Sequence, residues 1–98
     1  MEFEWDETKR QTNITKHGVD FIDAARVFES VVLETEDRRR DYGERRYRAL
    51  GQFNGRMLHL IYTWRQDRCR IISARRASGH ERETYYAGVR RQIEEDEE

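Results

Sequence analysis

Proline is absent from this chain, cysteine occurs once, and lysine occurs only as Lys9 and Lys16. Without proline, the turns have to be read from glycine, asparagine and aspartate. A lone Cys69 excludes an internal disulfide and fits a reducing compartment. Its apolar strand context reads as an ordinary buried thiol rather than a nucleophile. There is no apolar run long enough to cross a bilayer and no signal-peptide pattern, so a cytoplasmic protein without a membrane partner is expected. Glycine-rich phosphate loops, G-x-S-x-G and a Cys/His dyad are missing. His17, His59, His80 and Cys69 show none of the close spacings of zinc ligands. No metal and no cofactor is expected.

What is abundant is charge, at 40% of residues against 36% apolar. Ninety-eight residues still allow one domain with one core, because the apolar residues fall in periodic segments. The formal net charge of −1 hides a strong segregation. Residues 1–37 hold 10 acids against 4 bases, residues 38–91 hold 15 arginines against 5 acids, and residues 92–98 hold 5 acids and no base. Every base of the middle block is arginine, the fork-shaped ion that grips phosphate bidentately. Solvated strand faces, or a GC-rich genome, account for part of the excess but not for its clustering.

The pattern predicts an α+β fold in the order βααββββα, an antiparallel sheet with helices leaning on it. "MEFEW" alternates as a strand with Phe3 and Trp5 inward. Asp6 and Gly18 bracket a helix over "ETKRQTNITK", with Lys16 and His17 in its last turn. Asp20 and Asp23 suggest an acidic capping box for "FIDAARVF", whose Phe21, Ala24, Ala25 and Phe28 share one face. Period two then takes over in "VVLETE", "RYRALGQF", "MLHLIYTW" and "CRIISAR", with hairpins at "FNGR" and "RQDR". Ser78 and Glu81 form a capping box for a last helix whose apolar positions are Tyr85, Val89 and Ile93. The domain is expected over residues 1–93, with the acidic segment 94–98 disordered.

Strict alternation in the last strand puts Cys69, Ile71, Ser73 and Arg75 on one face and Arg70, Ile72, Ala74 and Arg76 on the other. Antiparallel pairing sends Arg65 to one end of the sheet and Arg75 and Arg76 to the opposite end. The arginine pair is therefore expected beside the start of the last helix, near Arg46, Tyr47 or Arg48.

The segments "FEWDETK", "N..KHGVDF", "AARVF", "ERRYRALG", "YTWR", "RIISARRAS" and "ERETYY" occur in order and cover nearly the whole chain. Together they resemble the BrnT toxins of bacterial BrnT/BrnA toxin–antitoxin systems. The resemblance implies a RelE-like fold, an endoribonuclease of the mRNA interferase type that inhibits translation, and neutralisation by a BrnA-like antitoxin. It also implies a protein complex, up to a heterotetramer, that reaches operator DNA through the antitoxin. His59 stands where an aliphatic residue is expected, and the acidic tail has no place in the pattern.

Metal-free RNA cleavage needs the 2′-hydroxyl deprotonated, the phosphorane stabilised and the leaving 5′-oxygen protonated. Arginine can only do the second of these. Arg75 and Arg76 are the leading candidates for that role, followed by Arg46 and Arg65. Arg76 has the alternative of a solvated strand end or a salt bridge to Glu81 or Glu83. For proton transfer His80 has the best position, with Glu81 next to it also serving the capping box, while His59 reads as a satisfied, partly buried imidazole. Arg48, Arg68, Arg70, Arg82, Tyr85, Lys16 and His17 are candidates for RNA contact. Tyr62 reads as core. A non-catalytic nucleic-acid binder, or a module docking an acidic protein, would want the same cationic surface.

Overall fold

Two aspartates decide where the first helices begin. Asp6 accepts from the Lys9 backbone N–H at 3.0 Å and opens α1, Glu7–His17. Gly18 closes it at φ +69°, a left-handed conformation that suits glycine, and donates its N–H to the Ile14 carbonyl. Asp20 accepts from Ile22 N–H and opens the short α2, Phe21–Ala25, which continues as a 3₁₀ turn over Arg26–Glu29. It does so without the reciprocal bond from Asp23 that a capping box would need. Its carboxylate instead grips Arg10 at 2.8 and 2.9 Å, tying α2 to α1.

The computed structural model describes residues 1–97 and contains a five-stranded sheet. Its strands are β1 (Glu2–Glu4), β2 (Leu33–Asp37), β3 (Arg46–Phe53), β4 (Arg56–Arg65) and β5 (Arg68–Arg76), in the order β1-β5-β4-β3-β2. Both expected hairpins form. Asn54 and Gly55 take positive φ in the first, and Gln66 does so in the second. The expected antiparallel sheet is present, and at one edge β1 joins it parallel to β5 with Phe3 opposite Cys69. No short turn joins these two strands, so nothing forces them to be antiparallel.

Strict alternation also fails in β5. Ser73 pairs with Ile61 and Ile71 with Tyr62, which leaves Ile72 as a bulge. The extra residue reverses the parity. Cys69 and Ile71 therefore share a face with Ala74, and Arg70 shares the other with Ser73 and Arg75. On the first face α1, α2 and the 3₁₀ turn enclose the main core of Phe21, Val27, Leu58, Leu60, Tyr62 and Ile71. Phe28 meets the Tyr62 ring edge-on at 5.3 Å. Cys69 is fully buried there, and burial pushes its thiol up to about 12.

One end of the second face is covered by α3, Gly79–Asp96. The Ser78/Glu81 capping box is complete, with the Ser78 hydroxyl accepting from Glu81 N–H and the Glu81 carboxylate accepting from Ser78 N–H. Tyr85 anchors the helix on Leu50 and Met57, and its hydroxyl donates to the Val31 carbonyl at 2.8 Å. Ile93, expected among the packed positions, is 54% exposed. An 18-residue helix is about 27 Å long, while β5 to β2 spans only about 15 Å at strand spacing, so its last turns overhang the sheet. Glu94, Glu95 and Asp96 of the acidic segment are helical, and Glu98 lies outside the described residues.

Beyond β1 the edge of β5 is closed by a side chain. Buried Asn13 of α1 accepts from Ala74 N–H at 3.2 Å and donates to the Ala74 carbonyl at 2.8 Å, as a neighbouring strand's peptide would. Among the described residues, no helix is long and apolar enough to cross a membrane.

Candidate active site between helix α3 and the sheet

A cleft of about 350 Å³ runs along the flank of α3. Arg48, Leu50 and His59 line it from β3 and β4, and His80, Glu81 and Thr84 line it from the helix. The capping box fixes the helical wall. With Ser78 and Glu81 bonded to each other, the first turn of α3 cannot rotate, and Glu81 is held over β5.

There Glu81 meets Arg75. The guanidinium makes two parallel bonds to the carboxylate, at 2.8 and 2.9 Å. Those bonds, joined by the Ser78 N–H, hold the Glu81 carboxyl down at about 2 against the opposing effect of burial. Glu81 is thus a fixed anion near neutral pH and a poor proton acceptor. Arg75 is 40% exposed on its side chain, and its orientation is set by Glu81.

His59 lies directly across the ladder from Arg75 and is only 6% exposed. Burial pushes its imidazole below the ordinary 6.5, the positive charge of Arg75 adds to this, and Glu81 opposes it, with Arg48 and Arg39 contributing further in the first direction. Its Nε2 stands 3.8 Å from Glu81, beyond hydrogen-bond length, and a neutral imidazole makes no ion pair there. Arg48 sits across from Ile61 on the same face, and its buried Nε has no hydrogen-bond partner among the described residues. Leaving a buried donor unpaired costs on the order of 1–3 kcal/mol.

The structure brings together Arg75, Glu81, His80 and Arg48 of the sequence-predicted residues, and disperses the others. Arg76 follows Arg75 but lines a different cleft, at the β3–β4 hairpin end, together with Arg82. Arg46 and Arg65 lie at the opposite end of the sheet, both paired with Glu44, and Arg46 also stacks over the Tyr42 ring at 4.3 Å. Arg68 and Arg70 pair across the parallel edge with Glu2 and Glu4. Lys16 and His17 end α1, which is not a wall of the cleft. Tyr85 is buried, and the exposed ring is its neighbour Tyr86. Tyr62 is wholly buried on the far face, bonded to Glu34.

His59 was the residue whose place in the site the sequence hid. Its signal was its chemistry, a lone imidazole in the run "MLHLIY", which could equally have been a satisfied core group. Among the described residues no three His, Cys, Asp or Glu side chains gather as a metal site would require.

No curated protein matches the chain. A family model described as "Ribonuclease toxin, BrnT, of type II toxin-antitoxin system" matches residues 5–81, and so takes in every sheet residue of the cleft together with His80 and Glu81. A buried imidazole held neutral between arginines suits a ribonuclease, and with that match over most of its length the chain belongs to the BrnT ribonuclease toxins of type II toxin–antitoxin systems.

Proposed function

We propose that the cleft beneath α3 cleaves RNA endonucleolytically without a metal, by transesterification through the 2′-hydroxyl. The observation that carries this reading is the neutral, buried His59, which lines the cleft with Arg48 and pairs across the ladder with Arg75. His59 takes the 2′-hydroxyl proton. The 2′-oxygen then attacks phosphorus, and the bond to the 5′-oxygen breaks. His80, exposed at the mouth, supplies the proton to that oxygen. The products are a 2′,3′-cyclic phosphate and a 5′-hydroxyl. Arg75 and Arg48 meet the charge that builds on the phosphorane, a role arginine fills because it stays ionised. Glu81 acts as a positioning residue that aims Arg75.

In a cell this activity inhibits translation by cutting message in the cytoplasm, and a BrnA-like antitoxin silences it by covering the cleft with acidic and apolar side chains. Purified protein incubated with RNA in EDTA should yield cyclic-phosphate ends. A 2′-deoxy residue at the cleavage point should block the cut. Cleavage that persists past the 2′-deoxy residue, or that needs an added divalent ion, would rule this mechanism out.

A further inference from the structure

A second cleft, of about 230 Å³, lies on the other side of α3 at the β3–β4 hairpin. Arg56 from the start of β4, Arg76 from the end of β5 and Arg82 from α3 line it, with Gln52 and Tyr86 beside them. Gln52 donates to the Tyr86 hydroxyl at 3.0 Å, and the Tyr86 ring is 50% exposed.

Ion pairing separates these arginines from the rest of the sheet. Arg46 and Arg65 pair with Glu44, Arg68 with Glu2, Arg70 with Glu4, and Arg75 with Glu81. Among the described residues, every sheet arginine without a carboxylate partner, namely Arg48, Arg56 and Arg76, lines one cleft or the other. Arg82 joins the outer group, likewise without a carboxylate partner there. Three guanidiniums held close together without an internal anion repel one another, and that repulsion is relieved when an external anion binds.

We propose that this outer cleft is a phosphate subsite for the RNA strand, holding a nucleotide away from the one being cut. The proposal rests on the ribonuclease reading of the inner cleft and adds to it where the rest of the substrate lies. The exposed phenol ring favours RNA over an acidic peptide. A nucleotide brings a planar base next to its phosphate and can use both the Tyr86 face and the arginines, whereas a carboxylate side chain uses only the latter. Glu81 lines the inner cleft and Arg82, the next residue, lines the outer one, so a strand passing around the first turn of α3 reaches both.

The test uses the intact protein with Arg56→Ala, Arg82→Ala and the double variant. The probes are a fluorescent single-stranded oligoribonucleotide blocked by 2′-O-methyl groups and an unblocked dinucleotide. Each replacement should reduce the slope of log affinity against log salt by about 0.7, and the pair by about twice that. For a long substrate KM should rise while kcat holds, and dinucleotide cleavage should not change. Both positions are on exposed surface, so unchanged melting temperatures are expected to accompany these results. Unchanged salt slopes would overturn the proposal. So would variants that bind RNA normally but lose the antitoxin, since the cleft would then serve protein carboxylates. Failure of the inner-cleft reading looks different: Arg75→Ala would keep full cleavage while the outer-cleft variants still lost RNA affinity.

Discussion

The two faces of the sheet are built from the same strands and differ in almost everything else. Toward α1 and α2 the ladder presents Leu58, Leu60, Tyr62, Ile71 and Ala74, all closed off from water. Toward α3 it presents Arg48, His59, Arg75 and Ser73. Stability is therefore concentrated on one side and polar chemistry on the other. A small domain can carry costly features, such as an unpaired Arg48 Nε and an uncharged buried His59, because the opposite face supplies the folding energy.

Substitutions on the two faces should separate cleanly. The largest effect is expected on the dry side, where Phe21→Ala empties a fully buried ring position and should cost about 3–5 kcal/mol of stability, read by denaturant unfolding. Residual activity should then follow the folded fraction. Arg75→Ala, on the wet side, should lower the cleavage rate by 10²–10³, about 2.7–4 kcal/mol in the transition state. Loss of its part-exposed ion pair with Glu81 should cost less than about 1 kcal/mol in stability. A variant that unfolds instead would show that the two faces are not independent.

Gly51 offers a gentler probe of the dry face. An added Cβ would sit 3.0 Å from both Val27 Cβ and Val32 Cγ1, so Gly51→Ala should destabilise by about 1–3 kcal/mol and leave the kinetic constants of the folded protein unchanged.

The smallest effect is a pH dependence on the wet face. The fold lowers the His59 pKa from 6.5, so the unfolded chain binds a proton more readily. Stability from this group is fully present above pH 6.5 and declines as pH falls toward the folded-state value. His59→Gln should flatten that part of the melting-temperature profile and, on the proposed mechanism, also remove cleavage. A profile that is flat in the parent protein would mean the imidazole is not held neutral.

Local signals carried most of the fold. Asp6, Gly18, Ser78 with Glu81, and Asn54-Gly55 each act through neighbours a few residues away, and each element they imply is present. The errors came from long-range geometry. The Ile72 bulge is set by how β5 registers against β4, and no residue type announces it. With parity reversed at that point, Cys69 and Ile71 move to the dry face and Arg70 to the other. The site was half legible for the same reason. Arg75 and Glu81 are six residues apart across a cap, but Arg48 and His59 reach the cleft only through sheet pairing. Arg46 and Arg65, equally basic in sequence, are carried by strand register to the opposite end of the sheet, where both pair with Glu44.

The Asn13 amide that closes the β5 edge joins residues 61 positions apart, and β1 pairs with residues 68–70. During synthesis these N-terminal pieces have nothing to pair with until the chain has been made past residue 76. Such distant closures are slow steps, because loop entropy is lost before the contacts that repay it can form. The inner cleft depends on the same late segment, with Arg75 in it and Glu81 just after it. A toxin arranged this way cannot assemble its proposed cutting site on a chain that still lacks the fifth strand and the first turn of α3.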